Sequence, residues 1–497
     1  MKNLHTAFRG RFNSNCEQQN ENIYKVLLSI IALAIATPSI IYLLKNKTIL
    51  NFKEWFTFFL KTPNNYTESI IGAIIFGALL ILAIWCYFKL IKNSSKEFKN
   101  LKQIIIYVLI ICCIFGIMLP FTTSDIFYYI GTGWIDSNYK ENPYYTTVEE
   151  VRLKNPNDEI LQRTGVWENQ VVVYGPLWAF ICKILATFSF GNATLALYVF
   201  KLSNIIVHIL NTILVYRITK KGKFTIIYGL NPFILFEMIT NVHNDIYLMF
   251  FILLSLYFLL KKKNIILTVV FMSLATCIKY VSVLLVPFLV LYYLRNQKLS
   301  KKILYCFLYS LLFIVIMLGM YLIYAKDITM FSTMMMQQGK YRESVLAIAL
   351  EMSYRTGIDM LSYVKSIFVV VFIFVLIDGL IFMFAYKKIN FKDTIRKYNN
   401  LITAFLFLII TNLCPWYTSW LIPTMFWLRG KQIKNILYLQ FSYELVTLIN
   451  FALYSESYKI GLLYLPIIVI LMTVINIVNN KKYMQLKRLR SCNAKKM

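Results

Sequence analysis

Apolar residues in this chain gather in long runs separated by short basic loops, instead of alternating with polar ones. The runs centre on 29–44, 70–91, 104–121, 205–216, 247–260, 303–324, 367–384 and 463–478. A soluble amphipathic helix shows a polar residue on its outer face at nearly every turn, so runs of this length predict helices that are apolar all round. Roughly 20 such residues cross a hydrocarbon core of about 30 Å. The pattern predicts an all-α fold, a polytopic transmembrane helical bundle of about 12–14 spans in which 1–497 form a single transmembrane domain. The run around Ala32 is long and no small-residue cleavage site follows it. It is expected to be an uncleaved first span and not a secretory signal.

Loop charges orient the bundle. Lysine and arginine collect in 92–102, 217–223, 261–263, 295–302, 387–397, 429–434 and the tail 480–497, and the positive-inside rule places these in the cytoplasm together with both termini. The stretch 122–173 differs. Its acids Asp125, Asp136, Glu141, Glu149, Glu150, Asp158, Glu159 and Glu168 outnumber the bases Lys140, Arg152, Lys154 and Arg163, so it is placed outside. Alternation then requires that 174–190 does not cross the membrane. It is expected to be a re-entrant or juxtamembrane helix, making 122–194 the first large external loop. A second external loop is expected over 326–365. The stretches 265–294 and 401–428 are short for two crossings each and read as broken helices.

Composition sharpens the class. Hydrophobic residues make up 59% and charged ones only 15%, against about 25% charged in ordinary soluble chains. A net charge of +29 would suggest nucleic acid in a soluble protein. Here the bases lie in short loops facing anionic lipid, so the bilayer is the expected partner and nucleic acid is not. Cys86, Cys112, Cys113, Cys182, Cys277 and Cys306 sit in apolar segments as small hydrophobes. No cysteine–histidine metal spacing occurs. Gly131-Thr132-Gly133 lacks the third glycine of a dinucleotide loop.

With the topology drawn from lysine and arginine alone, the unusual polar clusters all fall on the outer side. They are Thr123-Ser124-Asp125-Ile126-Phe127-Tyr128-Tyr129, Asn142-Pro143-Tyr144, Tyr174-Gly175-Pro176-Leu177-Trp178, Asn241-Val242-His243-Asn244-Asp245, Lys279-Tyr280, Lys340-Tyr341-Arg342 and Pro415-Trp416-Tyr417. Aromatic faces can cover sugar rings, cations can hold a phosphate and a carboxylate can take a proton. Each cluster has a plainer reading. Trp416 and Tyr417 are either interface anchors or part of a site. Asp125 alone could be a solvated acid at a helix end, and His243-Asn244-Asp245 has no second cluster with which to hold a metal. Lys279 lies inside an apolar run, where an unpaired ammonium is costly and marks function by default, unless it snorkels to the outer interface. Asp378 and Glu444 also fall in apolar stretches and are expected to be buried and hydrogen-bonded.

In this order the motifs Ser-Asp-Ile-Phe-Tyr-Tyr-Ile (124–130), Asn-Pro-Tyr (142–144), Tyr-Gly-Pro-Leu-Trp (174–178), Asn-Pro-Phe (231–233), His-Asn-Asp (243–245), Lys-Tyr (279–280) and Pro-Trp-Tyr (415–417) resemble GT-C fold glycosyltransferases. Over 119–428 the chain is similar to the polyprenol-phosphate-mannose-dependent α-1,6-mannosyltransferases of actinobacterial lipomannan synthesis. The resemblance implies an inverting enzyme that takes a sugar, mannose first among candidates, from a polyprenyl-phosphate donor and passes it to a cell-envelope glycan or glycolipid acceptor. It implies a catalytic aspartate in the first large external loop, the place Asp125 occupies. It makes His243, Asn244 and Asp245 donor or acceptor contacts and turns Lys279 toward the donor phosphate. Beside that, Lys340 or Arg342 of the second external loop is expected to assist with the phosphate. Tyr128, Tyr174, Trp178, Tyr280, Trp416 and Tyr417 complete the expected binding set. No cofactor and no resident metal are expected, although a divalent ion beside the phosphate would be compatible with this chemistry. The site is expected on the outer face of the cell membrane. The rival classes are a transporter or flippase of lipid-linked glycans, which would place broken helices and ionisable groups near the midplane in paired repeats, and a membrane glycan polymerase or ligase.

Overall fold

The computed structural model describes residues 22–45, 66–165, 167–330, 340–341, 344–385 and 389–452. The run 463–478, the tail 480–497 and Arg342 lie outside the described residues. Among the described residues, every regular element is helical, which satisfies the backbone internally where no water is available. The chain opens with α1 (Ile23–Lys45), α2 (Tyr66–Lys92) and α3 (Leu101–Ile117). After a polar turn come α4 (Asp125–Ser137), the short α5 (Val148–Lys154), α6 (Pro176–Thr187) and the long α7 (Ala193–Thr219). Next are α8 (Gly222–Gly229), α9 (Asp245–Tyr257), α10 (Ile265–Thr276) and α11 (Val286–Tyr293). α12 (Leu299–Tyr321), α13 (Val345–Thr356), α14 (Met360–Ala385), α15 (Phe391–Ala404) and α16 (Gly430–Ala452) follow.

Among the described residues, five helices are long and apolar enough to cross a membrane alone: α1, α2, α7, α12 and α14. The outermost of them carry bare apolar faces, with Ile303, Phe307, Leu311 and Leu318 exposed on α12 and Val370, Phe374 and Ile381 on α14. Surfaces of that kind match hydrocarbon and would aggregate in water. The protein is an all-α polytopic membrane protein. Its interior is dense around α7 and α9, with Phe115, Phe200, Phe233, Phe236 and Leu248 fully buried. A buried lysine there, Lys201, is accounted for by three carbonyls: Nζ donates to Met118 O at 2.7 Å, Thr240 O at 2.8 Å and Ile239 O at 3.3 Å.

Both stretches read as broken helices are interrupted. α10 stops at Thr276 and the chain resumes as a 3₁₀ turn, Tyr280–Leu285, before α11. Beyond α15, a π-turn (Phe405–Ile409) gives way to extended backbone and a second 3₁₀ turn, Pro415–Leu421. α6, at 12 residues, is about 18 Å long, well short of an about 30 Å core. It lies against α4 at close range, since a Cβ on Gly133 would meet the Cys182 carbonyl.

The acidic stretch 122–173 is folded by its own charges. Thr147 and Glu150 form a reciprocal capping box at the start of α5. Arg152 donates to both oxygens of Glu168 at 2.9 and 3.0 Å, and Asp158 accepts from Trp134 Nε1 and Tyr139 OH, both at 2.8 Å. Asp136 ties it to the end of α12, accepting from Lys183 Nζ at 2.7 Å and Tyr324 OH at 2.8 Å. Asp378 departs from the expectation. Its side chain is exposed on α14 and pairs with Lys397 of α15 at 2.5 Å, because an acid on a lipid-facing helix reaches a neighbouring cation without being covered.

Candidate active site

Asp125 opens α4, where the helix dipole favours negative charge. Its Oδ1 accepts from Trp167 Nε1 at 3.0 Å, and Oδ2 lies 3.5 Å from Tyr129 OH. The side chain is 11% exposed, enough to meet a substrate while being held on most sides.

Beneath Asp125 lies the turn 241–245. A π-turn, Leu235–Thr240, leads into it, a distortion often found at functional sites. Val242 then takes φ +61° while fully buried, a left-handed conformation costing a β-branched residue about 1–3 kcal/mol. The surroundings hold it there. Asn241 accepts from Phe121 N at 3.3 Å and donates to Thr122 Oγ1 and, at 3.1 Å, to Glu237 Oε2. His243 is directed under Asp125, with Nδ1 3.8 Å from Asp125 Oδ2 and Nε2 3.1 Å from Glu237 Oε2. Its ring stacks on Trp416 with centroids 3.8 Å apart. Asp245, the first residue of α9, accepts from Lys279 Nζ at 2.7 Å and from Trp420 Nε1 at 2.5 Å.

The Tyr-Gly-Pro segment meets the break after α10. Gly175 N donates to Ile278 O at 3.2 Å and Leu177 N to Cys277 O at 3.0 Å. A Cβ on Gly175 would collide with the Cys277 carbonyl, so glycine is needed for this backbone approach, and Pro176 starts α6 with its preset φ. Tyr174 is thereby brought beside Lys279, whose ammonium lies over the rings of Tyr417 at 4.8 Å, Trp420 at 5.7 Å and Tyr174 at 5.8 Å. Tyr129 OH donates to Tyr174 OH at 3.2 Å.

These contacts close into a ring. It runs from Asp125 through Tyr129, Tyr174, Lys279 and Asp245 to Trp420, then by ring contacts, stacked onto Tyr417, edge-on to Trp416 and stacked again onto His243, and back to Asp125. At its rim Lys340 lies over Trp167 at 4.2 Å and donates to Gln170 Oε1 at 2.8 Å. Tyr128 OH donates to the Gln170 carbonyl at 3.0 Å. Burial pushes the Lys340 ammonium below the usual lysine range, partly offset by the charge of Asp125. The arrangement can offer a carboxylate to a hydroxyl, two cations to a phosphate and several aromatic faces to a sugar.

Residues far apart in sequence thus meet: Asp125, Tyr174, His243, Asp245, Lys279, Trp416 and Tyr417 are in the ring, with Tyr128 and Lys340 at its rim. Others stand behind it. Trp178 is buried, its ring edge-on to Tyr129 at 5.1 Å and tilted against Tyr247 at 5.3 Å. Tyr280 OH donates to the Tyr174 carbonyl at 3.4 Å. Asn244 is fully buried, and neither of its side-chain polar atoms has a partner among the described residues. The ammonium of Lys279 is paired, not free. Trp167, Glu237 and Trp420 escape sequence reasoning, since their roles depend on distant partners, and Tyr129, though inside the 123–129 cluster, is not among the expected binding residues. Among the described residues, no group of three His, Cys, Asp or Glu is placed to hold a metal ion.

A family model described as alpha-(1->6)-mannopyranosyltransferase, N-terminal domain, matches residues 26–295, more than half of the chain. The match takes in Asp125, Trp167, Tyr174, Glu237, His243, Asp245 and Lys279 and stops before Lys340 and Trp416. No curated protein and no solved structure matches.

Proposed function

This chain belongs to the α-(1→6)-mannopyranosyltransferase family, and from that membership we propose that it moves mannose from a polyprenyl-phosphate donor to an acceptor hydroxyl, with Asp125 as general base. It is a membrane glycosyltransferase. The observation that carries the finer reading is the closed ring of side chains, which sets one reachable carboxylate among aromatic faces and beside two lysines.

In the proposed step, the acceptor oxygen attacks the anomeric carbon as the bond from that carbon to the phosphate oxygen breaks. The acceptor proton passes to Asp125 and polyprenyl phosphate departs. Phosphate is a good leaving group at neutral pH, so no protein acid is required opposite the base. A single in-line displacement inverts the anomeric centre, so an α product calls for a β-linked donor. A 1→6 product calls for a primary acceptor hydroxyl, slim enough to reach a carboxylate as enclosed as Asp125. Lys340 at the rim meets the phosphate first. Lys279 serves it from below while sharing its charge with Asp245, and Tyr174, Trp416 and Tyr417 cover the sugars. The acceptor is a cell-envelope glycan or glycolipid, and the site faces the outer side of the cell membrane, where 122–194 and 326–365 form the external loops and the tail 480–497 is cytoplasmic. The reading needs no cofactor.

The test supplies membrane vesicles containing the protein with a panel of labelled polyprenyl-phosphate sugars, mannose first, and native membrane lipids as acceptors. Transfer of labelled mannose supports the reading. Movement of labelled lipid between leaflets without transfer would replace it with a flippase, and elongation of preassembled glycans with a polymerase or ligase.

A further inference from the structure

Glu237 is fully buried in an apolar run, flanked by Phe236, Met238 and Ile239, all of them buried too. A carboxylate in such a place is expensive, and within a membrane protein it marks function by default. Its Oε2 meets two groups, Asn241 Nδ2 at 3.1 Å and His243 Nε2 at 3.1 Å. Glu444 of α16 is close enough to interact with it. The His243 ring stands between Glu237 and Asp125. That ring is fully buried and stacked on Trp416, so it cannot touch a sugar or phosphate directly. Its two nitrogens face opposite ways, one toward each carboxylate.

Resting on the reading of Asp125 as the base, we propose that His243 and Glu237 form a dyad behind it, in which Glu237 positions the ring and His243 receives the proton that Asp125 takes from the acceptor. A carboxylate beside Nε2 calls for the ring proton there, which leaves the Nδ1 lone pair toward Asp125. When the acceptor oxygen attacks, its proton moves to Asp125 Oδ2 and on to His243 Nδ1, and Glu237 balances the imidazolium charge. The proton returns to water through Asp125 after the product leaves. Nδ1 stands 3.8 Å from Asp125 Oδ2 and Nε2 approaches Glu237 Oε2 obliquely at 3.1 Å, and contacts of this kind commonly tighten only in the transition-state complex. The π-turn and the left-handed Val242 are the backbone features that set His243 between Glu237 and Asp125.

The test measures mannose transfer in vesicles from labelled polyprenyl-phosphate mannose to an alkyl α-mannoside, so that kcat and both KM values are read separately. Glu237→Gln keeps the shape and an acceptor for Asn241 but removes the charge. It is expected to lower kcat by about 10²-fold with both KM values unchanged, and Glu237→Asp is expected to recover part of the loss. His243→Gln is expected to show a similar loss, and the double variant no more than the larger single one, because residues acting as a unit are not additive. Wild-type kcat in Glu237→Gln, a loss expressed in KM, or single losses that multiply in the double variant would each overturn the dyad. If Glu237→Gln does not accumulate, His243→Gln decides alone, and undiminished kcat there overturns the proposal. Asp125→Asn runs alongside: if it transfers like wild type, the base assignment has failed, whereas a silent Asp125→Asn beside a fully active Glu237→Gln removes the dyad alone.

Discussion

Replacing Lys279 by methionine would leave the Asp245 carboxylate where water does not reach, with Trp420 Nε1 as its remaining partner. The Asp245 side chain is 0% exposed and that of Lys279 11%, at an N···O distance of 2.7 Å. Removing one member of a buried, hydrogen-bonded ion pair typically costs about 3–5 kcal/mol, most of it the penalty of the charge left behind. The indole bond softens that penalty. Loss of the cation from above three aromatic rings adds to it, at about 0.5–2 kcal/mol for each favourable cation–π contact. The two corrections oppose one another, so the full range of about 3–5 kcal/mol stands. Equilibrium unfolding of the purified protein in mixed detergent micelles reads the loss directly. The double variant Lys279→Met/Asp245→Asn removes the stranded charge along with its partner and is expected to regain at least half of it. A loss below about 1 kcal/mol in the single variant would mean that Lys279 is a solvated group uninvolved with Asp245. A double variant no more stable than the single one would show that the aromatic contacts, and not the ion pair, hold the site together.

Two further outcomes follow from the rim. Trp167→Phe keeps a ring under Lys340 but deletes the N–H that Asp125 Oδ1 accepts, so kcat is expected to fall about 10- to 100-fold with folding intact, the loss of one charge-assisted hydrogen bond of about 1.5–3 kcal/mol; an unchanged rate in the vesicle assay would show that the indole does not orient the base. Burial lowers the Lys340 ammonium from its usual range, and a group so shifted loses its charge as pH rises through the lowered value. The donor KM is therefore expected to climb on the alkaline side earlier than an ordinary lysine would allow, and Lys340→Arg, which stays charged, is expected to flatten that climb; identical profiles for the two proteins would remove Lys340 from phosphate binding.

The apolar runs carried the fold because lipid imposes one rule on every span, and that rule is local. The breaks after Thr276 and Ile409 were legible for the same reason, as stretches too short for their expected crossings. The site was legible where chemistry leaves a short signature. Tyr174-Gly175-Pro176 records a close backbone approach followed by a helix start, and the sequence His243-Asn244-Asp245 places polar groups at the head of an apolar helix. What could not be read depends on partners far along the chain. Trp167 matters through Asp125, and Trp420 through Asp245, which lies 175 residues away. Glu237 looks like any isolated acid in an apolar stretch until the turn at Val242 brings His243 back over it. Lys279 was singled out correctly as unusual, but its partner Asp245 is invisible without the fold. Asp378 shows the reverse error, since a charge in an apolar run need not be buried when its helix has an open side and Lys397 is in reach.

The most direct test compares wild type with Asp125→Asn in matched vesicles supplied with labelled polyprenyl-phosphate mannose. The amide oxygen can still accept from Trp167 Nε1, so the ring of contacts is preserved while the proton acceptor is lost. Transfer is expected to fall by about 10²–10⁴-fold with donor binding unchanged. Equal transfer by the two proteins would contradict this and move the base to another residue.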